Sequence, residues 1–314
     1  MTVTRVTKKH AITRGHLGCL GDVATVNLAR GCAGRCAFCF ARCIAGAPTS
    51  PGQIALYSDL ASQLRGELER RRRPPPRWVL FSTASDPFIG PDELVELARG
   101  CLATLLEHNI AVSLSTRGDL PDEVVTLLAS HASRVRVTIP LTTLSEEYTA
   151  TWEPGAAPPR RRLFALQRLI QAEVPVVVRV EPIIPFVNDG TESLRALFSA
   201  VAGLGLSSAM VSFLHLRPGV REQLLREGAA DQVPLLLGSF LPDEPELALP
   251  RGRTFEHLPA RQRLAGLRRV QRIARERGVR ASACQCQNPG LPSRQCPVRP
   301  PELPRPSGTQ LELL

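Results

Sequence analysis

Apolar residues along this chain fall into short β-branched runs, separated by longer stretches in which they recur every three or four positions. The short runs predict strands at residues 23–28, 78–81, 110–114, 135–139, 174–180 and 209–216. Leu56, Leu60, Leu64 and Leu68 lie four apart and predict a helix over 54–72, stopped by Pro74, Pro75 and Pro76. Further helices are predicted at 92–107, 121–131, 162–173 and 191–204. Strands alternating with helices imply parallel pairing through right-handed crossovers. Six such units predict an α/β fold, a partial (β/α)6 TIM-like barrel, with its functional loops at the C-terminal ends of the strands.

Either side of this core, taken as residues 22–218, the periodicity fades. Residues 1–21 are polar and glycine-punctuated and read as an irregular lead-in. Residues 219–314 form a C-terminal extension: a short helix at 219–228, a stretch at 233–253 rich in proline and leucine without clear period, and a basic helix at 258–277. In that last helix Leu264, Leu267, Val270 and Ile273 recur at threes. A loosely ordered tail is expected over 297–314. No apolar core follows Lys8, Lys9 and Arg14, and no later run approaches a membrane span, so a cytoplasmic protein without membrane contact is expected.

Composition changes this picture in two respects. The net charge of +10 would ordinarily suggest a polyanion partner, but Lys8 and Lys9 are the only lysines. With so much arginine, alanine, proline and glycine, codon usage in a GC-rich genome is a sufficient explanation. The odd count of 9 cysteines fits a disulfide framework poorly, and clustered thiols in a reducing compartment read as metal ligands.

Cys32, Cys36 and Cys39 are spaced Cys-x3-Cys-x2-Cys just after the first predicted strand. A loop with that spacing can hold one iron-sulfur cube through three of its irons, leaving the fourth open. Structural zinc with Cys43 as fourth ligand is the rival reading, and three bystander thiols the bland one. A second set, Cys284, Cys286 and Cys296, lies in a turn-rich segment. Its expected occupant is a second iron-sulfur cluster, with Cys19, Cys43 or the substrate as fourth ligand; zinc and reduced bystanders are the alternatives. Cys101 sits on the apolar face of the helix predicted at 92–107 and is assigned to the core.

Several short motifs run in order from about residue 22 to 218. They are Arg30-Gly31-Cys32-x3-Cys36-x2-Cys39 with the aromatic Phe38 before the third cysteine, Thr83-x2-Asp86-Pro87-Phe88-x2-Pro91, Ser115-Thr116-Arg117, Glu153-Pro154, Arg162-Leu163, and Pro182-Ile183-Ile184-Pro185 followed by Asn188-Asp189. In this ordered set the chain resembles radical S-adenosylmethionine (radical SAM) enzymes, and within that superfamily the group related to spore photoproduct lyase.

The resemblance implies a barrel of the radical SAM type and a [4Fe-4S] cluster held by Cys32, Cys36 and Cys39, with S-adenosylmethionine on the open iron. Electron transfer into the sulfonium then releases a 5′-deoxyadenosyl radical. The turn from Thr83 through Ser85 to Asp86 falls where the family contacts the methionine amino group, so these residues and Phe38 are assigned to the cofactor; a turn or helix cap is the other reading of Asp86. Arg117 stands where relatives often carry lysine and would fork onto the methionine carboxylate. Thr138 would bond the ribose or carboxylate, or merely pack. Arg179, Glu181 and His215, at the ends of the fifth and sixth strands, are the candidates for the substrate site, against a structural ion pair and a hydrogen-bonded core histidine.

Spore photoproduct lyase donates a hydrogen atom from a cysteine shortly after the second strand, and residues 82–91 contain none. The expected reaction is therefore hydrogen-atom abstraction from a small molecule or peptide, in secondary metabolism for instance, ending in epimerisation, dehydrogenation, decarboxylation or bond cleavage. A reducing partner such as flavodoxin or ferredoxin is implied. Repair or modification of nucleic acid is the second reading, and a metal-bound scaffold or sensor without activity the third. Anaerobic reconstitution followed by iron counting tests the tail cysteines: about eight irons per chain are expected, and about four would remove the second cluster.

Overall fold

In a computed structural model the described residues are all but 17–19, 49, 71–73, 241–246, 250–252, 284–287, 289–297 and 301–314. The strands are β1 (Thr2–Arg5), β2 (Thr13–His16), β3 (Asp22–Val26), β4 (Ala29–Arg30), β5 (Gln53–Leu56), β6 (Trp78–Phe81), β7 (Ala111–Ser115), β8 (Val135–Pro140), β9 (Val176–Ile183), β10 (Ser208–Phe213), β11 (Leu247–Leu249), β12 (Arg253–Phe255) and β13 (Arg280–Ala283). The helices are α1 (Leu60–Glu69), α2 (Asp92–Glu107), α3 (Asp122–Ala129), α4 (Glu146–Trp152), α5 (Pro159–Gln171), α6 (Thr191–Gly203), α7 (Val220–Glu227), α8 (Val233–Gly238) and α9 (Ala260–Arg275).

Eight strands form one sheet in the order β13-β10-β9-β8-β7-β6-β3-β2. All neighbours from β3 to β13 are parallel, and β2 is antiparallel to β3. The six predicted strands are thus present in the expected order, and among the described residues no pairing joins β13 to β2. The crossover helices follow from their apolar spacing. In α2 the buried set Leu94, Leu97, Ala98, Cys101, Leu102 and Leu105 traces one face, and Asp92 and Glu93 favour its N-terminal turn.

Register gives the sheet two unlike faces. Val79 pairs with Val112, Val112 with Val135, and Ile139 with Val178, so these side chains share one face. That face joins a single apolar cluster with Leu102, Leu166, Leu197, Phe198 and Ile273 from the helices. On the other face Ser113 pairs with Arg136, Ser115 with Thr138, and Pro140 with Arg179. Polar side chains on alternate residues of buried parallel strands mark that face as the inner one.

Three expectations are corrected, and one further element is present. Residues 54–72 are not one helix. Gln53–Leu56 is β5, paired with β1 and β4, and Leu56 belongs to its alternating burial rather than to α1. The lead-in is not irregular, since it supplies β1 and β2. α4 lies in a stretch for which no element was predicted, and Ser145 caps it by accepting from the Tyr148 N–H at 3.1 Å. The alternation also continues past residue 218, because α9 carries the chain back to β13, a further parallel strand beside β10. The predicted tail at 297–314 lies outside the described residues except at 298–300.

Phe198 of α6 is fully buried between sheet and helices. Phe198→Ala is expected to lower the free energy of unfolding by about 3–5 kcal/mol in chemical denaturation.

Candidate functional site

The cysteine loop leaves β3 through β4 and is held on all sides. Gly31 has a φ of +77°, and a Cβ there would stand 2.5 Å from the Gln53 carbonyl oxygen, so only glycine allows β5 to lie this close. The loop then folds around Gly34. A Cβ at Gly34 would be 3.3 Å from the Cys32 sulfur and 3.9 Å from that of Cys36. Cys32 Sγ accepts from the N–H groups of Gly34 at 3.3 Å and Asp86 at 3.4 Å. On one flank the Ala37 N–H donates to the Trp152 carbonyl at 2.9 Å and the Gly155 N–H to that of Gly34 at 3.0 Å.

Burial pushes the Cys32 thiol up to about 12, with Asp86 and Cys39 adding to it, and burial likewise raises Cys36 well above the ordinary value. Both thiols feel Cys39, so the three sulfurs share one electrostatic neighbourhood. A cationic metal reverses such shifts and takes the thiolates. Among the described residues no three His, Cys, Asp or Glu side chains close on a single ion. A cubane does not require this, because each thiolate binds its own iron. Three soft donors on one loop, two of them wrapped around a glycine, fit that group.

Asp86 ties the loop after β6 to the loop after β7. Its Oδ1 accepts from the Phe88 N–H at 2.9 Å and the Thr116 hydroxyl at 2.7 Å, and its Oδ2 from the Arg117 N–H at 2.6 Å. Burial raises the carboxyl above its ordinary range despite these donors. It is not the cap of α2, whose N-cap is Pro91; it holds the turn instead. Thr83 is exposed and donates to Asn27 Oδ1 at 3.1 Å, while the Ser85 hydroxyl lies 3.0 Å from that of Ser82.

Arg117 turns inward. Its guanidinium lies 5.5 Å from the Phe38 ring centroid, donates to Glu153 Oε1 at 3.2 Å and to the Glu181 carbonyl at 2.9 Å. Glu153 has no exposed surface and also accepts from Arg162, itself 2 % exposed. Burial would raise the Glu153 carboxyl, but Arg162 and Arg117 outweigh it and hold the group below its ordinary value.

The substrate-side candidates form a second group. Arg179 donates to Glu181 Oε2 at 2.9 and 2.5 Å. Burial lowers His215 to about 4 against the opposing pull of Glu181, so the ring is neutral at pH 7. It stands edge-on to Phe255 at 5.1 Å and stacks near His257 at 5.8 Å. Thr138 lies on the inner face with a buried hydroxyl that has no hydrogen-bond partner among the described residues.

Cys284, Cys286 and Cys296 lie outside the described residues. Their described neighbours touch the inner face: Asn288 donates to the Ser212 hydroxyl at 3.4 Å, and Val298 packs on Val177 and Met210. Sequence reasoning assigned no role to Asn27, Thr116, Glu153, Arg162 or Gln223. Glu153 and Arg162 carried a signal as motif residues, but their pairing through 9 residues of chain shows only in three dimensions.

The family model for the radical SAM superfamily matches residues 26–198, more than half of the chain. An uncharacterized protein of Mycobacterium tuberculosis (strain H37Rv) is 29 % identical over a match covering 63 % of this chain and 60 % of that relative. The chain thus spans less than two thirds of the mycobacterial relatives it matches. An uncharacterized protein of Acidianus two-tailed virus is 26 % identical, over 63 % of this chain and 69 % of its own. Among solved structures, spore photoproduct lyase complexed with dinucleoside spore photoproduct has a similar fold, with a TM-score of 0.66, 16 % identity, and coverage of 90 % of this chain and 81 % of that one.

Glu153→Gln leaves the buried Arg162 and the half-buried Arg117 without their counter-charge and is expected to cost about 3–5 kcal/mol of stability. Because the folded pKa of Glu153 is depressed, the wild type should lose this contribution as pH falls below the ordinary glutamate range and through the folded value. Urea denaturation across that range should show the loss in wild type and not in the variant.

Proposed function

The chain belongs to the radical SAM superfamily, and from that premise we propose that it is an enzyme that cleaves S-adenosylmethionine reductively and abstracts a hydrogen atom from a small molecule or peptide. The observation that carries this reading is the folding of Cys32 and Cys36 around Gly34, with Asp86 and Arg117 tied to that loop at the C-terminal edge of a parallel sheet. Cys32, Cys36 and Cys39 would hold the [4Fe-4S] cluster. When bound, that group supplies one electron to S-adenosylmethionine, yielding methionine and a 5′-deoxyadenosyl radical.

The remaining residues bind, orient and exclude water. Phe38 is buried under the Arg117 guanidinium and forms a dry wall beside the loop. The turn of Thr83, Ser85 and Asp86 offers carbonyls and hydroxyls to an ammonium group. Both Asp86 oxygens already hold protein donors, so its part is to fix that turn. Arg117 is committed to Glu153 and the Glu181 carbonyl, so any contact with the methionine carboxylate would use what remains of its fork. The unpartnered Thr138 hydroxyl on the same inner face is a ready donor to a ribose or carboxylate.

Arg179, Glu181 and His215 face the substrate in this reading. The Arg179–Glu181 pair presents both charge signs, and neutral His215 carries one ring N–H donor and one acceptor nitrogen. An auxiliary iron-sulfur cluster on Cys284, Cys286 and Cys296 would take or supply the second electron of a net redox reaction. A low-potential reductant such as flavodoxin or ferredoxin is the proposed partner. No helix among the described residues is long and apolar enough to cross a membrane; a reducing cytoplasm suits the thiols.

Single replacement of Cys32, Cys36 or Cys39 by alanine is expected to abolish 5′-deoxyadenosine formation in reduced, reconstituted protein. Retained cleavage in any of the three, or a cluster spectrum that S-adenosylmethionine leaves unchanged in wild type, would remove the proposed activity.

A further inference from the structure

Past β10 the chain runs back over the cysteine loop. The Arg217 guanidinium lies 3.8 Å from the Phe40 ring centroid and 4.7 Å from that of Phe255. Gly219 follows with a φ of +86°, and a Cβ there would stand 3.0 Å from Cys43 Cβ and 3.2 Å from its sulfur. That close approach brings α7 down beside the loop.

Gln223, in the second turn of α7, is 2 % exposed. Its Nε2 lies 3.4 Å from the Cys36 carbonyl oxygen, 2.8 Å from that of Ala37 and 3.2 Å from that of Cys39. Three carbonyl oxygens can only accept, so the amide must present its NH2 group to the loop. Its Oε1 is then left to accept from the Cys43 thiol at 3.6 Å. One turn further on, Glu227 takes Arg42 in a two-pronged pair at 2.6 and 2.7 Å. Arg42 Nη1 also reaches the carbonyls of Cys36 at 3.4 Å and Arg35 at 3.5 Å.

We propose that α7 is a clamp that sets the cysteine loop in its ligand-presenting shape before any cluster is bound, with Gln223 as the positioning residue. The proposal rests on Cys32, Cys36 and Cys39 being the cluster ligands. The physical case is that a short loop free at its centre samples many conformations, and tying its carbonyls to one helix removes that freedom before the three sulfurs are needed. Gln223 gathers the carbonyls of Cys36, Ala37 and Cys39 onto one point. Their negative ends are thereby directed at an amide rather than at the sulfurs. The donor acts on backbone carbonyls, so the sulfurs of Cys36 and Cys39 stay available to the metal. The Arg42–Glu227 pair fixes the far end of the loop to the same helix, its own charges cancelled.

Gln223→Met keeps the length of the side chain and removes both N–H groups, and Glu227→Gln removes the second anchor. In apo full-length protein, alkylation followed by mass spectrometry should show Cys36 and Cys39 reacting about tenfold faster in Gln223→Met than in wild type. Cys101, buried in α2 away from the loop, should react at the wild-type rate. Glu227→Gln should move the same two thiols in the same direction. After reconstitution, Gln223→Met should release iron to a chelator about tenfold faster and show an altered EPR line for the reduced cluster. Unchanged Cys36 and Cys39 rates, or an equal rise at Cys101, would overturn the clamp. Wild-type protein that takes up no iron would instead remove the cluster assignment, and the apo thiol rates would still decide whether α7 holds the loop.

Discussion

A carboxylate with no exposed surface is costly to bury, and Glu153 is tolerable only because two guanidiniums converge on it. Arg162 reaches it from α5 while also donating to the carbonyls of Ala157 at 2.7 Å and Pro140 at 3.1 Å. Arg117 reaches it from the loop after β7 while donating to the Glu181 carbonyl and lying over Phe38. One charge therefore fixes the strand ends of β7, β8 and β9 and the aromatic residue of the cysteine loop relative to one another. The Asp86 carboxylate extends the same constraint to the loop after β6. Moving any one of these loops would strand a buried charge.

The sheet supplies the platform for this arrangement by keeping its two faces chemically apart. Valines and leucines in register pack against the helices and carry the hydrophobic stabilisation. The inner face gives up that gain and displays Ser113, Ser115, Arg136, Thr138 and Arg179. Such a face is worth keeping only where a polar ligand or the chain itself satisfies it. Asn288 and Val298 show that the C-terminal segment does so in part, over β10 and β9.

How far the residues disclosed this structure depends on the range of the forces involved. Local periodicity located α2 to the residue and the predicted parallel strands to within about three, because helix and strand periods are properties of neighbouring side chains. It failed at Leu56, which is in phase with the leucines of α1 but pairs as a strand with β1 and β4. The clustered thiols were legible because chemistry demands their spacing. The pairing of Glu153 with two arginines, and the meeting of Gln223 with three carbonyls, were not. Each joins segments whose approach is set by the whole fold, and nothing in the local pattern around Gln223 marks it from any other helical glutamine.

The separation between Cys36 and Gln223 is 187 residues. During synthesis the ligand loop therefore emerges early, and the helix that lies against it only after six parallel strands have been made. On the proposed clamp, iron uptake would await synthesis past residue 227: a product stalled before α7 would carry all three thiols of the loop yet lack the helix that braces it. Maturation of the metal site would then be tied to assembly of the strands that lie between loop and helix.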